Sequence, residues 1–210
     1  MGVHPIFGNT FGALLRLFVR KVEGLENIPA DKPFILAANH DSYLDPLLIS
    51  VTITNKINHK LHWLAMKGRF WSLFGEKISH DWIGCVALDY GKKKAVNELI
   101  SLLNNGENVG IFPGGPRSAD GSLTRAKTGV SRLALGAKVP VIPVGLIGTY
   151  RIAPRDKLIP RFKRADIIIG KPIYFDKYYS KRVTKKLLRE MANKVMGAIA
   201  RLIDKRYDSK

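Results

Sequence analysis

The chain has 210 residues, with 35 Lys+Arg against 17 Asp+Glu and a formal net charge of +18. A hydrophobic fraction of 46% excludes both a disordered chain and a multi-span membrane protein, and the length suits one domain with an ample core. The single cysteine, Cys85, excludes a disulfide framework or a cysteine-rich zinc site, while the positive excess implies an anionic partner: nucleic acid, an anionic membrane face, or an acidic or phosphorylated substrate.

The N-terminus does not read as a secretory signal, and no run approaches the ~18 consecutive apolar residues of a spanning helix. Residues 6–19 set Phe7, Phe11, Leu14, Leu15 and Phe18 on one helical face, with Arg16, Arg20 and Lys21 within or just after it. This is either a helix packed on the core or an interfacial helix lying in one leaflet. Residues 33–38 read as a buried strand, and Asp45-Pro46 reads as a helix start, with Asp45 as N-cap and Pro46 at the first helical position. A strand over 61–66, a helical turn over 69–74 and a strand over 83–88 follow. Residues 92–103 have helical spacing, stopped by Gly106. A strand over 109–112 runs into a Gly/Pro/Asp loop at 113–121. Residues 128–137 read as a helix, 139–147 as a central strand and 165–170 as a later strand. The last thirty residues form one amphipathic helix, with Leu187, Leu188, Met191, Val195, Ile199, Leu202 and Ile203 on its apolar face and ten basic against three acidic side chains. Strands alternating with helices predict an α/β sheet covered on both faces. The expected division is an amphipathic helix over 1–22, the domain over 23–180, and a basic C-terminal helix over 181–210 packed on it.

Two constellations carry chemistry. Residues 39–45 read Asn-His-Asp-Ser-Tyr-Leu-Asp between a strand and a helix. On an unbroken helix residues five apart point about 140° apart, but a strand-turn-helix corner allows Asp45 to meet one ring nitrogen of His40. A histidine so oriented takes a proton from a hydroxyl as general base. Asp41 competes for the orienting role; equally, Asp45 serves as a helix cap and His40 as a turn histidine. The second constellation is residues 111–118, where Gly114 and Gly115 expose backbone N–H groups and Arg117 adds a planar fork for phosphate, against an ordinary Gly/Pro loop with a solvated arginine. Lys127 and Gly129 follow nearby. Cys85, inside an apolar run, reads as a small core residue.

In order and spacing these blocks resemble the glycerolipid acyltransferases typified by 1-acylglycerol-3-phosphate (lysophosphatidate) acyltransferase. The family's first motif, Asn-His and Asp five residues after the His, stands here as Asn39, His40 and Asp45. Its third, Phe-Pro-Glu-Gly-Thr-Arg-Ser, is matched by Phe112, Pro113, Gly115, Arg117 and Ser118, with Lys127, Gly129, Leu133 and Ala134 after it. Its fourth, Val-Pro-Val-Ile-Pro-Val, is intact from Val139 to Val144, and Lys67 with Leu88-Asp89 falls where the second lies. Gly114, Pro116 and Tyr90 depart from the family's Glu, Thr and Arg.

The resemblance implies a single glycerol-3-phosphate acyltransferase-like α/β domain with a mixed central sheet covered by helices. It implies acyl transfer from acyl-CoA or acyl-carrier protein to a lysophospholipid hydroxyl, foremost 1-acylglycerol-3-phosphate to give phosphatidate. His40 and Asp45 are the expected catalytic pair, and Asn39, Gly114, Gly115, Arg117, Ser118, Lys127 and Lys67 the expected substrate-binding set, with no metal or cofactor. Leu44, Trp63, Phe70, Trp71 and Phe74 are candidates for an acyl groove, against the commoner reading of such a stripe as plain core. The departures leave another lyso-lipid acceptor open, such as a lyso-ornithine lipid, as well as a catalytically silent membrane-binding homologue. The expected location is the cytoplasmic face of a membrane, as a peripheral or monotopic protein. No helix-turn-helix, zinc or RNA-binding signature supports a nucleic-acid partner.

Overall fold

Short apolar runs punctuated by Gly and Pro need both faces covered, and the chain meets that need with one sheet between helices. The computed structural model describes residues 10–53, 56–57, 60–65, 84–88, 91–118, 120–153 and 160–208. Among these, seven strands form one sheet: β1 (Val19–Glu23), β2 (Ile35–Ala38), β3 (Leu61–Ala65), β4 (Cys85–Ala87), β5 (Asn108–Ile111), β6 (Val141–Ile147) and β7 (Ala165–Ile169). Their order is β1-β7-β6-β2-β5-β3-β4. Every neighbouring pair is parallel except β6 with β7, so the sheet is mixed. The α-helices among the described residues are α1 (Thr10–Arg16), α2 (Asp45–Ile53), α3 (Lys92–Asn104), α4 (Gly129–Ala137), α5 (Thr149–Ile152) and α6 (Lys185–Leu202).

The period of two along β2 divides the interior into two cores. Leu36 and Ala38 face a cluster with Leu15 of α1 and Leu48 and Ile49 of α2. Ile35 and Ala37 face the other, with Leu99 of α3, Leu133 of α4 and Met191 and Val195 of α6. The apolar stripe of α6 is seated by a side-chain cap, Leu187 N donating to Thr184 Oγ1 at 3.1 Å. Its far end presses on β6, where a Cβ on Gly145 would lie 2.6 Å from Ile203 Cγ2.

Two readings change. The N-terminal helix ends at Arg16, and residues 19–22, expected within it, belong to β1. This strand pairs with β7 at the sheet edge and is mostly exposed and charged, so no apolar run announces it; such charges also discourage edge-to-edge pairing. The expected central strand, β6, does lie inside the sheet, between β7 and β2. The C-terminal helix is shorter than 181–210, and its chain turns back at Asp204, whose φ is 51°. α1 and α6 sit on opposite faces of the sheet, so the two basic segments do not share one flat surface. The expected turn over 69–74, together with Lys67, Phe70, Trp71, Phe74, Asp89 and Tyr90, lies outside the described residues.

Candidate active site

Parallel strands deliver their following loops to one end of a sheet, and here β2 and β5 are adjacent and parallel, so the loops at 39–45 and 112–118 meet. The first turns a strand into a helix within seven residues. Asn39 holds the start of that corner: its Nδ2 donates to Leu146 O (2.9 Å) and Asp41 Oδ2 (3.0 Å), and its Oδ1 accepts from Leu146 N (2.7 Å). Its amide is therefore spent on β6 and Asp41, which makes it a brace of the corner instead of a substrate ligand.

Asp45 is fully buried and turns its carboxylate back into the loop. Oδ2 accepts from Asp41 N (2.7 Å) and Ser42 N (2.8 Å) and lies 2.8 Å from His40 Nδ1. The expected forward cap is absent: α2 begins at Asp45 itself, and its first turn closes with Leu48 N donating to Leu44 O at 2.8 Å. A carboxylate oxygen that already takes two N–H groups accepts from the ring, so in the neutral imidazole Nδ1 carries the proton and Nε2 has the lone pair. Among the described residues Nε2 has no hydrogen-bond partner, and the ring is 18% exposed, enough to meet a substrate.

The ring is also held from its face. Phe112 stacks on His40 with centroids 3.9 Å apart and planes 12° apart, and Trp63 stacks on Phe112 at 5.0 Å. Trp63 is pinned by Nε1 donating to Ser50 Oγ (3.1 Å) and lies flat over Gly110, where a Cβ would come within 2.5 Å of its ring. Trp63 thus belongs to the core that supports His40, not to an open acyl groove.

Asp41 points away from His40, toward Asn39. Burial foremost, and then the charge of Asp45, push its carboxyl up to about 6. In the sequence Asp41 stands only as a rival to Asp45, because its link to Asn39 depends on the fold of the corner. Burial pushes the Cys85 thiol up to about 12, which leaves it protonated and unsuited to act as a nucleophile.

The second loop docks directly on the first, Ser118 N donating to His40 O at 2.8 Å. Gly115 turns it at φ 86°, where a Cβ would lie 2.5 Å from Lys127 Nζ. Lys127 N donates to Pro113 O (2.7 Å), so Gly115 and Lys127 are brought together. The Arg117 guanidinium carbon sits 3.3 Å from the centroid of the Tyr43 ring, a cation–π stack joining the two loops. At Gly114 the space a side chain would take is filled by Thr124, whose Oγ1 donates to Gly114 O (3.0 Å). The Ser118 hydroxyl is turned to Asp120 Oδ1 (3.0 Å). A cavity of about 860 Å³, lined by Gly91, Lys92, Lys93, Lys94, Asn97 and Glu98, opens at the start of α3, three strands from β2.

One set of contacts had no signature in the sequence. After α6 the chain folds back over the loop at 113–128. Tyr207 OH accepts from Ala126 N (3.1 Å) and donates to Asn193 Oδ1 (2.9 Å). Arg189 donates to Ala126 O, and Lys205 Nζ to Gly121 O. The C-terminal segment is a strap across the loop that carries Arg117 and Lys127.

A carboxylate-oriented histidine at the carboxyl end of a mostly parallel sheet, beside a cationic glycine loop, defines a class of α/β domain equipped to take a proton from a hydroxyl near an anionic group. Residues 19–147, more than half of the chain, match the Acyltransferase family model, and the chain belongs to that family. It is 28% identical over 163 residues to the 1-acyl-sn-glycerol-3-phosphate acyltransferase of Bacillus subtilis (strain 168), covering 73% of each chain. It is 31% identical over 163 residues to the chloroplastic 1-acyl-sn-glycerol-3-phosphate acyltransferase BAT2 of Brassica napus, covering 74% of this chain but only 45% of that protein. In fold it is similar to the crystal structure of the 1-acyl-sn-glycerophosphate acyltransferase PlsC from Thermotoga maritima, with a TM-score of 0.66 at 27% identity over 91% of this chain and 75% of that one.

Proposed function

We propose that the chain is an O-acyltransferase that moves a fatty acyl group from a thioester, acyl-CoA or acyl-carrier protein, to the hydroxyl of 1-acylglycerol-3-phosphate, giving phosphatidate. The observation that carries this reading is the 2.8 Å contact of His40 Nδ1 with buried Asp45, which leaves Nε2 as a base. Nε2 takes the acceptor's hydroxyl proton while the oxygen attacks the thioester carbonyl carbon. Asp45 stabilises the imidazolium that forms. Collapse of the tetrahedral species breaks the C–S bond, and the imidazolium returns its proton to the departing thiolate. Such a base contributes about 10²–10⁴-fold. Arg117 and Lys127, with the backbone at Gly114 and Gly115, hold the acceptor's phosphate.

The names of the relatives and of the structural neighbour support this acceptor. A lipid acceptor is met at a membrane, and a net charge of +18 suits peripheral or monotopic attachment to an anionic cytoplasmic face. No helix among the described residues is long and apolar enough to cross a membrane.

The second reading is another lyso-lipid acceptor, such as a lyso-ornithine lipid. It is favoured by Gly114, where Thr124 takes the space of a side chain and leaves the acceptor loop without a carboxylate there. Thiol release from one acyl donor, measured across a panel of acceptors, decides between them. Predominant use of lysophosphatidate is expected. Predominant use of a different head group would establish the second reading, and no turnover on any acceptor would indicate a silent membrane-binding homologue.

A further inference from the structure

A second feature lies at the same end of the sheet as His40. β6 is parallel to β2, with Ala38 opposite Val144, and β7 returns antiparallel with Asp166 opposite Ile147. The segment leading into β7 therefore emerges beside the end of β2. In that segment Phe162 is 70% exposed, the most exposed large apolar side chain among the described residues, and Arg161, Lys163 and Arg164 around it are exposed too.

This segment is built. Lys163 N donates to Arg161 O at 2.7 Å, a three-residue turn with Phe162 at its apex. Arg161 N donates to Ile152 O (2.7 Å) and Ala165 N to Phe18 O (2.8 Å), so both ends are tied to the framework. The Phe162 ring leans on Phe18 at a centroid distance of 5.9 Å. Leu14 and Leu17, just before Phe18, are also exposed. The backbone that anchors the turn also contacts the site: Ile152 O accepts from the turn, and next to it Ala153 O accepts from Ser42 Oγ at 3.1 Å. Among the described residues none of the three cations is paired with a carboxylate.

We propose that this turn is the element that docks the chain on an anionic bilayer, with Phe162 entering the acyl boundary and Arg161, Lys163 and Arg164 meeting headgroup phosphates. An apolar tip ringed by exposed cations is complementary to such an interface. Docking here brings the His40 end of the sheet to the lipid. The inference rests on the reading of the acceptor as a membrane lipid.

The test compares the full chain with two variants, Phe162→Ser and Arg161→Gln/Lys163→Gln/Arg164→Gln. A charge control removes three cations elsewhere, Arg182→Gln/Lys185→Gln/Lys186→Gln. Binding is measured by co-sedimentation with phosphatidylglycerol/phosphatidylcholine vesicles and with phosphatidylcholine alone. Turnover is measured on vesicle-borne lysophosphatidate and on a short-chain, monomeric 1-acylglycerol-3-phosphate. The triple variant is expected to lose roughly a hundredfold in partitioning to anionic vesicles, and Phe162→Ser about tenfold. Both should lose turnover on vesicles while staying within twofold on the monomeric acceptor, with the charge control losing much less binding. Unchanged vesicle binding in both variants, or an equal loss in the charge control, would overturn the proposal. An equal loss on the monomeric acceptor would overturn it too, because the turn would then belong to the chemical site. If the parent protein shows no transfer on either acceptor yet the vesicle-binding differences hold, the docking assignment stands and the acyltransferase reading falls.

Discussion

Around His40, each side chain has one task and the packing fixes which. Asp45 Oδ2 meets two backbone N–H groups and the ring nitrogen, which selects the Nδ1–H tautomer, while the buried Oδ1 has no hydrogen-bond partner among the described residues. The stack of Phe112 and Trp63 limits rotation of the ring, and the absence of a side chain at Gly110 makes the stack possible. Asp41 is different, since its burial disfavours the charged form. With its carboxyl raised to about 6 from an ordinary 3.8, the folded protein binds a proton that the unfolded chain has released, across roughly pH 4 to 6. Folding stability contributed by this group therefore falls as pH rises through that window and is level above it. Asp41→Asn removes the ionisation and keeps an oxygen to accept from Asn39. The variant's Tm relative to the parent should climb from pH 4 to pH 6 and then stay constant up to pH 8. A pH-independent Tm difference would show that Asp41 does not titrate in this window.

At the scale of elements, legibility followed burial and locality. β2, β5 and β6 are runs of buried residues, and α6 repeats its apolar residues at helical spacing, so each carries its own signal. β1 gave none, because a solvated edge strand of Val-Arg-Lys-Val-Glu has neither an apolar run nor a clean alternation. The corner at 39–45 was half legible: spacing brought His40 and Asp45 together, but Asn39's grip on Leu146 depends on a strand more than a hundred residues away. The strap from Tyr207 to Ala126 was invisible for the same reason, joining side chain and backbone across 81 residues. We expect Tyr207 to act as a positioning residue for the acceptor loop. Tyr207→Phe strands the Ala126 N–H and the Asn193 carbonyl, at a stability cost of about 1 kcal/mol. In steady-state kinetics the KM for the acceptor should rise about three- to tenfold, with kcat and the KM for the acyl donor within twofold. A fall in kcat with an unchanged acceptor KM would contradict this, because the strap would then act on His40.

For the whole molecule, the opening charge excess separates into places. The basic face of α6 lies on one side of the sheet and α1 on the other, so the +18 is not one flat pad. Part of it, at Arg117 and Lys127, lies on the loop docked against the His40 corner, and part, at residues 161–164, surrounds an exposed aromatic at the same end of the sheet. Attachment through such a surface is salt-sensitive, and high salt should release the vesicle-bound protein. The proposed chemistry turns on one step, in which His40, oriented by Asp45, takes the acceptor's proton. The direct measurement is the initial rate of thiol release from an acyl thioester with lysophosphatidate, compared for the parent and for His40→Ala at matched secondary structure and Tm. A loss of about 10²–10⁴-fold in kcat is expected, whereas a folded His40→Ala protein that kept most of its rate would rule out His40 as the base.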